Sequence, residues 1–137
     1  MTKKIAGLFG IIFIIFGILG FIENPIVGEV GWFHADMIHN IIRIVIGLIL
    51  VSAAAKGASA LWLKMIGIVY LLVAIIGFMT LDASGRAEIF GLIHVHQADN
   101  LLHLVVAIIF LGTGFMGKKA PMQMSTPNNM GGMPGQM

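Results

Sequence analysis

The chain carries the same sixty-residue pattern twice, without a gap. When residues 1–57 are set over 61–117, Lys4, Gly7, Gly17, Gly31, His34, Asn40 and Gly57 recur as Lys64, Gly67, Gly77, Gly91, His94, Asn100 and Gly117. Ile15, Val45 and Ile49 also recur, as Ile75, Val105 and Ile109, and apolar residues face apolar residues almost throughout. A fixed period of this length marks one supersecondary unit built twice, so the fold must be one that two copies can form side by side.

That unit is a pair of membrane helices. The sequence is 58% hydrophobic and 10% charged, with mean hydropathy +1.00, whereas an ordinary soluble domain is roughly a quarter charged. Four stretches, 5–22, 38–55, 65–81 and 101–117, are apolar over 17 or 18 residues. At ~1.5 Å per residue each reaches about 26 Å, close to the ~30 Å hydrocarbon core. The expected fold is therefore all-α: a four-transmembrane-helix bundle made of two tandem, parallel helical-hairpin repeats. Residues 1–117 form one membrane domain, with repeat one at 1–57 and repeat two at 61–117. Lys3 and Lys4 before the first stretch resemble a signal peptide. However, Ile22-Glu23-Asn24-Pro25 offers no small-residue cleavage site, and the equivalent stretch 65–81 lies mid-chain.

The basic residues set the orientation. Lys3, Lys4, Lys56, Lys64, Lys118 and Lys119 fall at the amino terminus, in the middle connection and just after the fourth span. The positive-inside rule makes those three places cytoplasmic. All six acidic residues and all five histidines lie in or just after the other two connections, which then face outward. Trp62 beside Lys64, and Trp32 with Phe33, suit anchoring at the two interfaces. Both halves enter the membrane in the same direction, so the pseudo-twofold axis runs along the membrane normal. Gly7, Gly10, Gly17 and Gly20 share one face of the first span. Helices in lipid approach most closely through small residues, and the recurrence of Gly7 and Gly17 as Gly67 and Gly77 predicts the same contact made twice.

Several chemistries are excluded. There is no cysteine, so disulfides, thiolate metal sites and cysteine nucleophiles are absent. No phosphate loop, dinucleotide fingerprint or serine triad signature occurs, and lysine pairs are too short for nucleic-acid binding. They suit topology signals and contacts with anionic lipid. The expectation is a non-enzymatic protein partnered by the bilayer. A second copy of the chain or another membrane protein is the further partner class this architecture allows.

The polar residues that remain form two related segments, His34-Ala-Asp36-Met-Ile-His39-Asn40-Ile-Ile-Arg43 and His94-Val-His96-Gln-Ala-Asp99-Asn100-Leu-Leu-His103. Residues 36, 39, 40 and 43, like 96, 99, 100 and 103, share one helical face. A charge at membrane depth costs at least ~2.5 kcal/mol near the centre unless it is paired or hydrated, so this face turns inward. Asp36, His39, Asn40, Arg43, Asp99, Asn100 and His103 are expected to form a buried network that ties the helix ends together, with Arg43 reaching Asp99 and His103 reaching Asp36. The sharper alternative is a zinc or copper site at the outer rim, using His34, His94, His96 and Asp99. A haem between His34 and His94, or between His39 and His103, has no attachment motif behind it. Proton or small-ion transport is a third reading, but the Asp and His residues do not continue toward the cytoplasmic half.

The Asp99-Asn100-Leu-Leu-His103-Leu104 and His39-Asn40-Ile-Ile-Arg43 stretches resemble a small bacterial membrane family catalogued as domain of unknown function 4383. The resemblance covers residues 5 to about 117 and implies four membrane helices in a prokaryotic cell membrane. Asp99, Asn100, His103, His39 and Asn40 match its motif positions, and no activity comes with it. Arg43 stands where that family usually has a second His, and His94 and His96 stand where Pro and Asn are more usual. The tail, 118–137, is rich in Met, Pro and Gly and is expected to be a disordered cytoplasmic segment. Its Met122, Met124, Met130 and Met133 are candidate copper(I) ligands, across the membrane from the histidines.

Overall fold

The computed structural model describes residues 1–27, 33, 36–91 and 93–117. Glu29, Trp32, His34 and the whole tail, with Lys118, Lys119 and the candidate ligands Met122, Met124, Met130 and Met133, lie outside the described residues. The chain is mostly helical: α1 (Thr2–Leu19), α2 (Met37–Lys56), α3 (Ser59–Met79) and α4 (Gln97–Met116). Each is long and apolar enough to cross a membrane. The helices leave apolar stripes uncovered, including Leu8, Ile11 and Ile15 on α1 and Met65, Ile68 and Leu72 on α3. Such surface is sustainable only against lipid.

Helix ends depart from the hydropathy windows for local reasons. α1 ends at Leu19 because Asn24 turns back on it: its side-chain amide donates to the Leu19 (2.8 Å) and Val27 (2.9 Å) carbonyls, and its carbonyl oxygen accepts from the Ile26 and Val27 amides (2.9 Å each). α2 stops at Gly57, whose φ of 78° gives a left-handed cap and returns its N–H to the Ala53 carbonyl. α3 begins at Ser59 rather than 65 because Lys64 is accommodated within the helix. Its aliphatic stem covers Gly114 and its ammonium sits 4.7 Å from the centre of the Phe115 ring.

The helices pack chiefly as α1 on α2 and α3 on α4, whereas the consecutive α2 and α3 touch far less. Small residues make the close approaches. A Cβ on Gly10 would lie 2.9 Å from the Gly47 carbonyl oxygen, and one on Gly47 would lie 2.7 Å from that of Gly10. The expectation that Gly7/Gly67 and Gly17/Gly77 make one contact twice is corrected. Gly7 faces Ala54 but Gly67 faces Leu111 and Phe110, and Gly17 faces Ile44 and the Asn40 carbonyl whereas Gly77 lies under the Asn100 amide. Asn40 instead covers Gly20. Residue 80, the counterpart of Gly20, is Thr, so a side chain blocks the equivalent seat. The two helix pairs are thereby packed about one turn out of register.

The all-α expectation needs one correction. Between α3 and α4 a two-stranded antiparallel hairpin forms, β1 (Arg86–Ile89) and β2 (Ile93–His96), pairing Arg86 with His96 and Glu88 with His94. Its inner residues Ala87, Ile89 and Val95 pack against Val73, Ile76 and Leu81 at the end of α3. Its turn places Phe90 and Gly91 at φ 55° and 68°. The alternation Arg-Ala-Glu-Ile and Ile-His-Val-His carries the strand signal, which is obscured by the surrounding apolar sequence.

Asp82 pins the start of this hairpin. Its carboxylate accepts from the Ser84 hydroxyl (2.7 Å) and from the Ser84 (2.8 Å) and Arg86 (3.0 Å) amides. The Ser84 hydroxyl first, and then the Arg86 amide, hold the carboxyl below the usual carboxylate range. A carboxyl with a depressed folded-state pKa contributes stability above its unfolded pKa, and that contribution is lost as pH falls through the folded value. Acidification below about pH 4 is therefore expected to speed hydrogen exchange of the Arg86 amide, corrected for intrinsic rates. Asp82→Ala should produce the same faster exchange at neutral pH, leaving acid with little further effect.

Candidate functional site

The polar segments of α2 and α4 meet at the end of the bundle that carries the hairpin. Asp99 and Asn100 are completely buried, and His39, Arg43 and His103 each keep 6% of their surface exposed. Each helix is opened by a carboxylate, supplied from different positions. In α2, Asp36 is the N-cap and accepts from the His39 amide at 2.7 Å. In α4, Asp99 sits one turn in and reaches back to the amide of the N-cap His96 at 3.0 Å. α2 thus shows one half of a capping box, while α4 closes both, the His96 side chain also accepting from the Asp99 amide. Either carboxylate satisfies an orphan N–H and puts negative charge at the positive end of the helix dipole. The exchange of residue types between repeats thus has a local cause that the sequence reading missed, although the three-residue spacing displays it.

Across the bundle, Arg43 Nη2 lies 3.8 Å from Asp99 Oδ1, an ion pair joining α2 to α4. The other expected contact is replaced: His103 stacks on His39, ring centres 5.7 Å apart and 27° between planes. Asp36 turns instead to the hairpin, with Oδ2 at 3.4 Å from the His94 amide and 4.0 Å from His94 Nδ1. Glu88 Oε1 lies 3.8 Å from the other nitrogen of that exposed ring. Asp36 therefore connects the start of α2 to β2. Asn40 and Asn100 close over the backbone of Gly20 and Gly77.

Tyr70 is the residue sequence reasoning overlooked. Its counterpart in the first repeat is Gly10, and its ring stands edge-on to His103 at 5.2 Å while stacking on Phe13 at 5.7 Å. Phe110 joins them, edge-on to Phe9 at 5.0 Å. These rings belong to the apolar core of the bundle, with Leu50, Leu63 and Val106.

A cavity of about 240 Å³ opens between α2, α3 and α4, walled by Ile42, Ile46, Val69 and Val73, with His39, Tyr70 and His103 also lining it. A second, of about 110 Å³, lies on the α1 side between aromatic rings and includes Arg43 in its wall. For metal chemistry, no group of three or more His, Asp or Glu side chains among the described residues is placed to hold a metal ion. Of the proposed ligand set, His34 is outside the described residues, Asp99 is buried in the ion pair and the cap, and His94 faces outward beside Glu88. His39 and His103 do not suit a haem, since axial imidazoles approach iron end-on through nitrogen and these rings lie face to face.

No curated protein and no solved structure matches this chain. A family match does exist, and it spans all four helices together with the buried His, Asn and Asp positions. By that match over residues 3–116, the chain belongs to the family described as a domain of unknown function, DUF4383.

Proposed function

We propose that this protein is a non-enzymatic, multi-pass component of a prokaryotic cell membrane in which two hairpin repeats are locked together by their outward-facing polar cluster. Both termini lie in the cytoplasm, and the β-hairpin at the locked end is presented to a partner. The observation that carries this reading is the Arg43–Asp99 pair, 3.8 Å long and sealed from solvent, running from the second helix of one repeat to the second helix of the other. Burial of a charge pair is tolerated only when each charge keeps its partner, so the pair makes one repeat depend on the other. The lysines at the opposite end and the acidic loops at this one support the orientation.

Two measurements on the full chain test it. Because the chain has no cysteine, Ala83→Cys is expected to react with an impermeant maleimide on whole cells and Ala58→Cys only after lysis; the reverse pattern overturns the orientation. Asp99→Ala is expected to lower the melting temperature in detergent, while elemental analysis of the purified parent protein finds far less than one metal per chain. Stoichiometric zinc or copper, lost on changing His94 and His96 to Ala, together with an unchanged melt for Asp99→Ala, would replace this reading with metal binding.

A further inference from the structure

The 240 Å³ cavity has a chemistry that bundle-locking does not require. Its wall residues Ile42 and Val69 are also among the exposed, lipid-facing side chains, and it lies at the seam where α2 and α3 touch sparsely. It is therefore reached sideways from the membrane. The buried His103 carries an Nδ1 that meets no hydrogen-bond partner, a costly arrangement for a polar atom in an apolar interior. His39 and Tyr70 line the same space. A neutral imidazole and a phenol each carry a hydrogen-bond donor beside an acceptor, and no carboxylate is among the described lining residues. The lining thus supplies donors for a ligand that accepts hydrogen bonds.

Charge and shape narrow the class. Arg43 belongs to the other cavity and is already paired with Asp99, so a bound anion would lie in apolar surroundings without a lining cation. An uncharged ligand is favoured. Benzene fits an apolar cavity of about 150 Å³, so this larger space accommodates a substituted six-membered ring. The aromatic side chains offer such a ring stacked or edge-on contacts. We infer that the cavity between α2, α3 and α4 binds, from within the membrane, the carbonyl-bearing ring of an uncharged lipid of the quinone class, with His103 among its hydrogen-bond partners. This goes beyond the locking role, with which it shares the membrane setting and two residues of the polar cluster, His39 and His103.

The test uses the full chain in lipid nanodiscs with a photoreactive short-tailed benzoquinone as probe. The expected result is saturable labelling of peptides containing Ile42 or Val69, displaced by unlabelled benzoquinone and not by oleic acid or decanol. Val69→Phe narrows the cavity from its lipid-facing wall without touching the polar cluster, and is expected to weaken labelling at least tenfold while leaving the melt unchanged. His103→Leu is expected to weaken it by about tenfold, the equivalent of one hydrogen bond of ~1.4 kcal/mol, and His103→Gln by less. Non-saturable labelling, displacement by oleic acid or decanol as effective as by quinone, or labelling indifferent to Val69→Phe in a folded variant each overturns the assignment. The locking role stands or falls separately, on the melt of Asp99→Ala.

Discussion

Replacing Arg43 by Met lowers the unfolding free energy of the detergent-solubilised protein by about 3–5 kcal/mol, the range found when one member of a buried ion pair is removed and the other remains. Asp99 is fully buried, and the Arg43 guanidinium opposes its charge from 3.8 Å away. The loss therefore comes mainly from a buried carboxylate deprived of its guanidinium rather than from the pair's own attraction. This separates the two contributions experimentally. In Arg43→Met with Asp99→Asn, the amide retains an oxygen for the His96 N–H that Asp99 now accepts at 3.0 Å, and no charge remains stranded. The double variant should recover all but about 1 kcal/mol, since a buried pair is commonly little better than neutral groups of similar volume. Reversible unfolding in mixed dodecyl maltoside and SDS micelles measures both differences. Equal losses in the single and double variants would show that Arg43 acts through its bulk and that no charge lock exists.

The duplication, the hydropathy and the spacing of His39, Asn40, Arg43, Asp99, Asn100 and His103 made the four spans and the inward-turned polar face legible, because a lipid solvent leaves a chain few other ways to satisfy its polar groups. The contact between Arg43 and Asp99 followed from the same reasoning. Three features were hidden for identifiable reasons. The β-hairpin alternates over only four residues on each strand, too briefly to stand out beside long apolar runs. Tyr70 could not be placed at the site because superposing the repeats put it over Gly10, implying equivalent surroundings. The pairing of His103 with His39 instead of Asp36 depends on Asp36 being spent on the α2 cap and the hairpin. Those competing uses are a tertiary matter that spacing on one helix does not report.

Gly47→Ala tests how far the two repeats have diverged, and is expected to cost about 2–3 kcal/mol, within the range for overpacking a closed interface. The added methyl would meet the Gly10 carbonyl oxygen and Ile14 Cγ1 at 2.7 Å each, and the Ile14 amide nitrogen at 3.0 Å. Because two of the three atoms are backbone, relief requires α1 and α2 to separate, which loosens every other contact along their shared face. Gly10→Ala meets the same obstacle from the other side, at the Gly47 carbonyl. Once the helices have moved apart for one methyl the second has room, so the double variant should cost less than the two single losses combined. Gly112→Ala is the control: nothing lies within 4 Å of its added Cβ, and alanine's helix preference makes it neutral or stabilising by up to ~1 kcal/mol. Residue 47 corresponds to Ala107 in the second repeat, where a methyl group is fully buried without harm. If the two hairpins packed in the same register, Gly47→Ala would only copy the second repeat into the first and the protein would tolerate it. A large loss means that the one-turn difference in register is fixed by backbone contact, and that Tyr70 can enter the polar site because α3 and α4 do not need the approach that Gly10 and Gly47 provide.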